Sequence, residues 1–284
     1  MDKKTIIIAP NAGFCNRLRS MVAAIYLSEQ LNMEIEHLWI GIPYICANDN
    51  IQKIHDKSFH YYFKDNIKKC NYVNWINKIN TVYTEWEPNN SGWYYVQCYG
   101  QKLLEINNLK EVNELKQDMN SSESFLIETS HLNHLNISII DKTRIYQKYF
   151  IPKDIFLQKI ENLFSFLKNE SIIGISIRKG DFIYYFPETQ IQEDLLENWI
   201  KTLPNKVFFC SDDKNYQEQM RKKIPNHISL NHNEKEDQDF LDFILLSKCS
   251  KIYGTQKSSF SEEAAYFGGT EYISLNKDFF QNNC

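Results

Sequence analysis

The segment that most restricts the fold is Ile172-Ile173-Gly174-Ile175-Ser176-Ile177, which ends abruptly in Arg178-Lys179-Gly180-Asp181. A strand with one solvated face alternates apolar and polar residues, whereas this run is β-branched and nearly continuous. Both of its faces must therefore be covered, as in an inner strand of a parallel sheet with helices on either side. Sheets of that type bind ligands beyond the carboxyl ends of their strands, and Arg178 stands at such an end. Because the planar guanidinium fork matches a phosphate, the segment predicts an α/β fold and a phosphorylated ligand.

The flanking sequence follows the same architecture. From Pro152 a helix with Phe156, Ile160, Leu163, Phe164 and Leu167 on one face leads into the strand at 172–177. Helices over 193–203, 214–223 and 236–248 alternate with strands over 206–210, 227–230 and 251–254. A helix opening near Phe260 and a strand at 271–274 complete a pattern that predicts a doubly wound parallel sheet. At the N-terminus Thr5-Ile6-Ile7-Ile8-Ala9 reads as a strand. The Gly13 loop, a helix from Arg17 to Leu31 and a strand at 34–40 follow, a second Rossmann-like opening. Between Gly41 and Asn120 clusters of Tyr and Trp interrupt polar stretches and no period is legible. A boundary near residue 150 gives two Rossmann-like domains, 1–150 and 151–284, and the 284 residues suffice for a core in each.

The formal charge of -4 excludes a general nucleic-acid binder, so any phosphate site must be local. Seven scattered cysteines without a C-x-x-C pair point to a reducing compartment rather than to a disulfide framework or a zinc site. The first apolar run is too short for a signal peptide, and no stretch approaches the roughly 20 apolar residues of a membrane span. The expected location is cytoplasmic.

Three strand ends of the second half carry groups suited to a nucleotide. Arg178 and Lys179 can neutralise a diphosphate, with Asp181 orienting the arginine or capping the next turn; the alternative is a surface salt bridge. Ser211, Asp212 and Asp213 follow the second strand, where a ribose or base edge is commonly read, and Ser211 and Asp212 equally suit a cap of the helix at Lys214. At the third end, Thr255-Gln256-Lys257-Ser258-Ser259-Phe260 runs into a helix, with Ser259 and Glu262 at capping-box spacing. Free N–H groups there, the hydroxyls of Thr255, Ser258 and Ser259 and the charge of Lys257 would bind an anion. In the first half the Gly13 loop places Asn16 and Arg17 at a helix N-terminus, where Arg17 is either a ligand-facing or a solvated cation. There is no Walker A sequence. Asp237-Gln238-Asp239 spells the D-x-D triplet of many metal-dependent sugar transferases, but in an acidic first turn it is read as favouring the helix dipole.

In order, these segments resemble the fucosyltransferase superfamily, which includes α1,2-, α1,6- and protein O-fucosyltransferases and a rhizobial nodulation enzyme. Its H-x-R-R-x-D hallmark reads here as Ser176-Ile177-Arg178-Lys179-Gly180-Asp181, and its G-x-x-N-[QR] loop as Gly13-Phe14-Cys15-Asn16-Arg17. Ser211-Asp212-Asp213 is similar to its S/T-D-D segment, and Ser258-Ser259-Phe260-Ser261 with Ala264-Ala265 to its S-S-F-S-x-x-A-A motif. Ser176 replaces the usual histidine, and Lys179 replaces the second arginine, keeping charge but losing the fork.

The resemblance implies a GT-B fold, two Rossmann-like domains facing each other across a cleft, with the donor on the C-terminal domain and the acceptor on the N-terminal side. It implies inverting transfer of fucose from GDP-fucose to a glycan hydroxyl, with no metal and no cofactor besides the donor substrate. Arg178 would stabilise departing GDP, Ser258, Ser259 and Phe260 would hold phosphates, and Asn16 would reach the diphosphate or sugar. Asp212 or Asp213 would lie near the guanosine, with Asp242 approaching the base. Asp181 and Glu87 are candidate bases. A glycan acceptor, including a membrane-borne one reached by peripheral contact, is the expected partner. Two other readings stay open: the same fold with GDP-mannose or a UDP-hexose as donor, and a non-catalytic carbohydrate- or nucleotide-binding protein using Trp75, Trp86, Trp93 and Tyr94.

Overall fold

The structure, a computed structural model, describes residues 5–10, 13–39, 43–45, 52–54, 57–69, 81–84, 103–105, 124–129, 137–165, 171–180, 182–228 and 237–283. Described residues up to Ile151 form one compact unit and those from Pro152 onward another.

In the first unit β1 (Thr5–Pro10) buries Ile6, Ile7 and Ile8, so both of its faces are covered. Helix α1 (Phe14–Leu31) follows extended Gly13 and stops at Asn32, whose φ of 54° is a left-handed value that asparagine tolerates at a helix end. The helix begins three residues before the sequence prediction, and this buries Arg17. Its side chain is 1% exposed with the guanidinium 5.5 Å from the Trp39 ring centroid, and burial lowers its pKa to about 10. The solvated reading of Arg17 is therefore corrected.

A six-stranded parallel sheet runs through this unit. Beside β1 lie β2 (Glu34–His37) and β8 (Ser124–Thr129); β5 (Lys68–Lys69) pairs with β2, and β6 (Thr81–Thr84) joins β8 to β7 (Leu103–Glu105). Strands β3 (Pro43–Ile45) and β4 (Gln52–Ile54) make a separate antiparallel pair. The sequence therefore holds strands where no period is legible between Gly41 and Asn120, and β8 occupies the centre of the sheet. Helices α2 (Phe59–Tyr62) and α3 (Ile139–Tyr149) supply an aromatic cluster in which Phe59, Phe63, Tyr146 and Phe150 stack edge to face or tilted, centroids 5.0 to 5.7 Å apart.

The second unit is the doubly wound sheet the sequence predicts. Strands β9 (Ile172–Ile177), β10 (Lys206–Ser211), β11 (His227–Ile228), β12 (Lys251–Thr255) and β13 (Glu271–Leu275) are all parallel, in the order β11-β10-β9-β12-β13. Every residue of β9 is buried, as its continuous apolar run requires. Ile173, Ile175 and Ile177 pack on one face with Leu196, Trp199, Val207, Phe209 and Met220. On the other face a Cβ at Gly174 would come within 2.6 Å of Leu246 and 3.1 Å of the Cys249 sulfur, so glycine lets a helix lie directly on the strand. The helices are α4 (Asp154–Ser165), α5 (Phe182–Tyr185), α6 (Glu193–Thr202), α7 (Lys214–Lys223), α8 (Gln238–Ser247), α9 (Ser259–Gly268) and α10 (Lys277–Asn283). No helix among the described residues is long and apolar enough to cross a membrane.

Candidate functional site

Parallel register brings three of the predicted segments side by side. Ser211 lies opposite Ile177 on one flank of β9 and Gly254 opposite Ser176 on the other, so the next residues of all three strands emerge together at one sheet edge. The Arg178 N–H donates to Thr255 Oγ1 at 3.0 Å, and the Lys179 N–H donates to Asp212 Oδ1 at 2.8 Å. The other Asp212 oxygen lies 3.2 Å from an Arg178 guanidinium nitrogen. The guanidinium also covers the Phe182 ring, 5.0 Å from its centroid. Arg178 is thus held from both neighbouring strand ends and from the helix that follows, and its side chain keeps 29% exposure.

Lys179 takes a different direction. Its ammonium lies 3.3 Å from Glu193 and 4.8 Å from the Tyr216 ring centroid, so α6 and α7 hold the charge that the sequence reading gave to a diphosphate. Burial pushes the Tyr216 phenol up, leaving it neutral beneath that cation. Asp181, like Glu87, lies outside the described residues.

The S-D-D segment divides into three separate roles. Ser211 Oγ accepts from the Asp213 N–H at 3.2 Å, and Asp213 is the N-cap of α7, accepting from the Tyr216 N–H at 3.0 Å. Only Asp212 turns toward Arg178. The sequence reading gave the cap to Ser211 and Asp212; the carboxylate one residue later takes it because β10 runs on to Ser211.

At the third strand end a tight turn precedes α9. The Ser258 N–H bonds the Thr255 carbonyl at 3.0 Å, and Lys257 adopts a left-handed φ of 67°, uncommon for a residue with a long side chain. Its ammonium lies 2.8 Å from Glu188 and 4.9 Å from the Phe186 ring centroid, so this charge too is paired. The turn makes Ser258 the N-cap and Ser259 the first helical residue, one position off the capping box read from the sequence. Glu262 instead accepts from the Tyr266 hydroxyl at 2.9 Å. Ser258 is 2% exposed and makes no side-chain cap hydrogen bond, and its Oγ is without a hydrogen-bond partner among the described residues. A buried hydroxyl left unpaired beside the unmatched N–H groups of a ten-residue helix is costly unless a ligand completes it. Ser259 and Phe260 are half-buried, with Phe260 against Phe243. In the other unit Gly13 is the extended N-cap of α1 and Asn16 lies half-buried in its first turn.

Asp242 lies under the sheet, 2% exposed, bonded by Gln238 Nε2 at 2.6 Å and 3.8 Å from Lys214 Nζ. Burial raises its pKa to about 6. The folded protein therefore binds this proton more tightly than the unfolded chain does, and the Asp242 contribution to stability falls as pH rises from about 4 to about 6. Asp242→Asn is expected to flatten that slope and to raise stability at pH 8 by on the order of 2 kcal/mol, with little change at pH 4. Urea denaturation at the two pH values measures it, and equal effects at both would refute the assignment. Of the D-x-D triplet, Asp239 is paired with Lys214 at 3.1 Å, while Asp237 is the helix N-cap residue, 4.0 Å from Lys159.

Among solved structures, POFUT1 in complex with GDP-fucose superposes with a TM-score of 0.61 at 10% identity, over 96% of this chain and 97% of that one. NodZ α-1,6-fucosyltransferase soaked with GDP-fucose gives 0.60 at 14% identity over 98% and 96%. The fold is that of the fucosyltransferases. An Arabidopsis thaliana FUT1 mutant in complex with GDP shares the fucosyltransferase fold over 97% of this chain and 71% of its own, with a TM-score of 0.57 at 11% identity. No family model matches the sequence, and no curated protein matches it in sequence.

The sequence reading quoted Gly180 without giving it a role and did not consider Glu188, Phe182 and Phe186. The first had a signal: a glycine directly after the charged pair at a strand end marks a close approach of backbone to another group.

Proposed function

We propose that the protein is a glycosyltransferase that moves fucose from GDP-fucose to a hydroxyl of a glycan acceptor, with inversion and without a metal. The observation that carries this reading is the juxtaposition of Arg178 with the N-terminus of α9, where the Ser258 hydroxyl is buried and unpaired. Similar folds bound to GDP-fucose and GDP support the choice of donor. We assign the donor to the C-terminal unit and the acceptor to the N-terminal one.

In this reading the bond between the anomeric carbon and the diphosphate oxygen lengthens first, and negative charge gathers on departing GDP. Arg178 and the N–H groups of Ser259 and Phe260, at the start of α9, are aimed at that charge before it develops, the form of stabilisation that lowers a barrier most. The positive end of the α9 dipole acts in the same direction. The pairing of Asp239 with Lys214 supports the metal-free route, because the D-x-D carboxylates already serve the fold. Asp181 is the proposed base that takes the acceptor proton as the hydroxyl attacks.

A thermal-shift comparison of GDP, UDP, CDP and ADP, each with and without Mg²⁺, tests the donor. GDP alone should stabilise, by about 2.7 kcal/mol at a hundred times its Kd, and Mg²⁺ should add nothing. Ser258→Ala should leave the free protein as stable or slightly more so, because it removes an unpaired hydroxyl, and should weaken GDP about tenfold. Stabilisation by UDP but not GDP, or wild-type GDP affinity in the alanine variant, would overturn the reading.

A further inference from the structure

The donor reading makes Arg178 the group that meets the diphosphate, and the geometry around it points to two residues that hold it there. We infer that Asp212 and Gly180 are positioning residues which together fix the Arg178 guanidinium at the sheet edge, so that Asp212 serves the arginine rather than the nucleoside. This inference rests on the proposed function and refines the roles within that site.

Asp212 has two oxygens and each is occupied. One accepts the Lys179 N–H at 2.8 Å, fixing the backbone directly after Arg178, and the other faces the guanidinium at 3.2 Å. A single carboxylate thus sets both where the arginine starts and where it ends. Parallel register explains why position 212 does this: Ser211 lies opposite Ile177, so the next residue on β10 stands beside the residue that follows β9. On the opposite flank Thr255 accepts the Arg178 N–H at 3.0 Å, completing a three-strand clamp. Both oxygens of this side chain are thus committed, one to a backbone N–H and one to a neighbouring cation, so turning the carboxylate toward a ribose or base would break the hold on Arg178.

Gly180 is the steric condition for this contact. A Cβ at residue 180 would stand 2.5 Å from Asp212 Oδ2, the oxygen that faces Arg178. The backbone there is not left-handed, since Gly269 is the glycine with positive φ among the described residues. Glycine is needed at this position for closeness and not for its conformation. Gly180→Ala would therefore displace the carboxylate without changing any charge, whereas Asp212→Asn removes the charge and sets an amide donor or a neutral oxygen against the guanidinium.

The two substitutions test one contact by independent means. With GDP as probe in calorimetry and release of GDP from GDP-fucose as the turnover assay, each variant should lower kcat about ten- to a hundredfold while the Kd for GDP changes less than about threefold. The double variant should be no slower than the worse single variant, because both act on the same guanidinium. Additive losses, wild-type turnover in Gly180→Ala, or a parallel loss of GDP affinity and turnover would overturn the inference. Crystal structures of both variants without donor give a readout that does not depend on activity. The Arg178 guanidinium should leave its wild-type position in each, and an unmoved guanidinium would refute the positioning role. A wild-type protein that bound no GDP would overturn the proposed function instead, whereas the placement of Arg178 would still be decided by those structures.

Discussion

Arg178→Ala is expected to lower turnover at saturating GDP-fucose by about 100- to 1000-fold, the loss seen when one preorganised donor is removed from a developing anion. The argument begins in the sequence, where an apolar strand ends in this residue. It gains weight from the clamp that holds Arg178: the Thr255 hydroxyl, one oxygen of Asp212 and the Phe182 ring, with the other Asp212 oxygen fixing the Lys179 N–H beside it. Binding of GDP should weaken less than turnover, because charge on the leaving group is greatest in the transition state. Arg178→Lys should recover only part of the loss, since it restores charge without the fork. Near-wild-type release of GDP by the alanine variant would remove the main support for the mechanism.

The sequence revealed more of the second unit than of the first, for physical reasons. Strands β9 and β10 are inner strands whose near-continuous apolar runs are bounded by charge or turn residues, and the periodic helix at 214–223 matches its prediction residue for residue. In the first unit β8 holds only Phe125, Leu126 and Ile127 between polar residues, too short a run to separate from a loop, although pairing with β1 and β6 makes it central. The predicted site residues at the three strand ends come together because parallel register aligns the ends, a geometry implied by the alternation itself. Side-chain directions were not legible. Lys179 and Lys257 both read as ligands of a phosphate, yet Glu193 and Glu188, distant in sequence, take their charges. Arg17 read as exposed or ligand-facing because a cation at a helix start usually is, and the Trp39 ring that covers it lies more than twenty residues away.

The same parallel geometry makes two glycines of α9 and its strand the sharpest test of how fold and site are coupled. Gly268 ends α9 where a Cβ would overlap the backbone carbonyl of Ser247, which cannot rotate away. Gly268→Ala should therefore force α8 and α9 apart and cost about 3 kcal/mol, measured by urea denaturation. Gly254 lies in β12 directly under α9, and a Cβ there would overlap the Ser261 side chain, itself wholly buried, and reach 3.0 Å from Tyr272. Relief requires the first turn of α9, which follows Ser258 and whose first N–H groups have no acceptor within the helix, to lift from the strand. Gly254→Ala should thus lose stability of similar size and also weaken GDP about tenfold, whereas Gly268→Ala, at the far end of the helix, should leave GDP affinity in the folded protein unchanged. Equal GDP affinity in the two variants would mean that the helix start does not hold the phosphates. A loss confined to Gly254→Ala would locate the anion site at that turn independently of any substitution in Ser258 or Arg178.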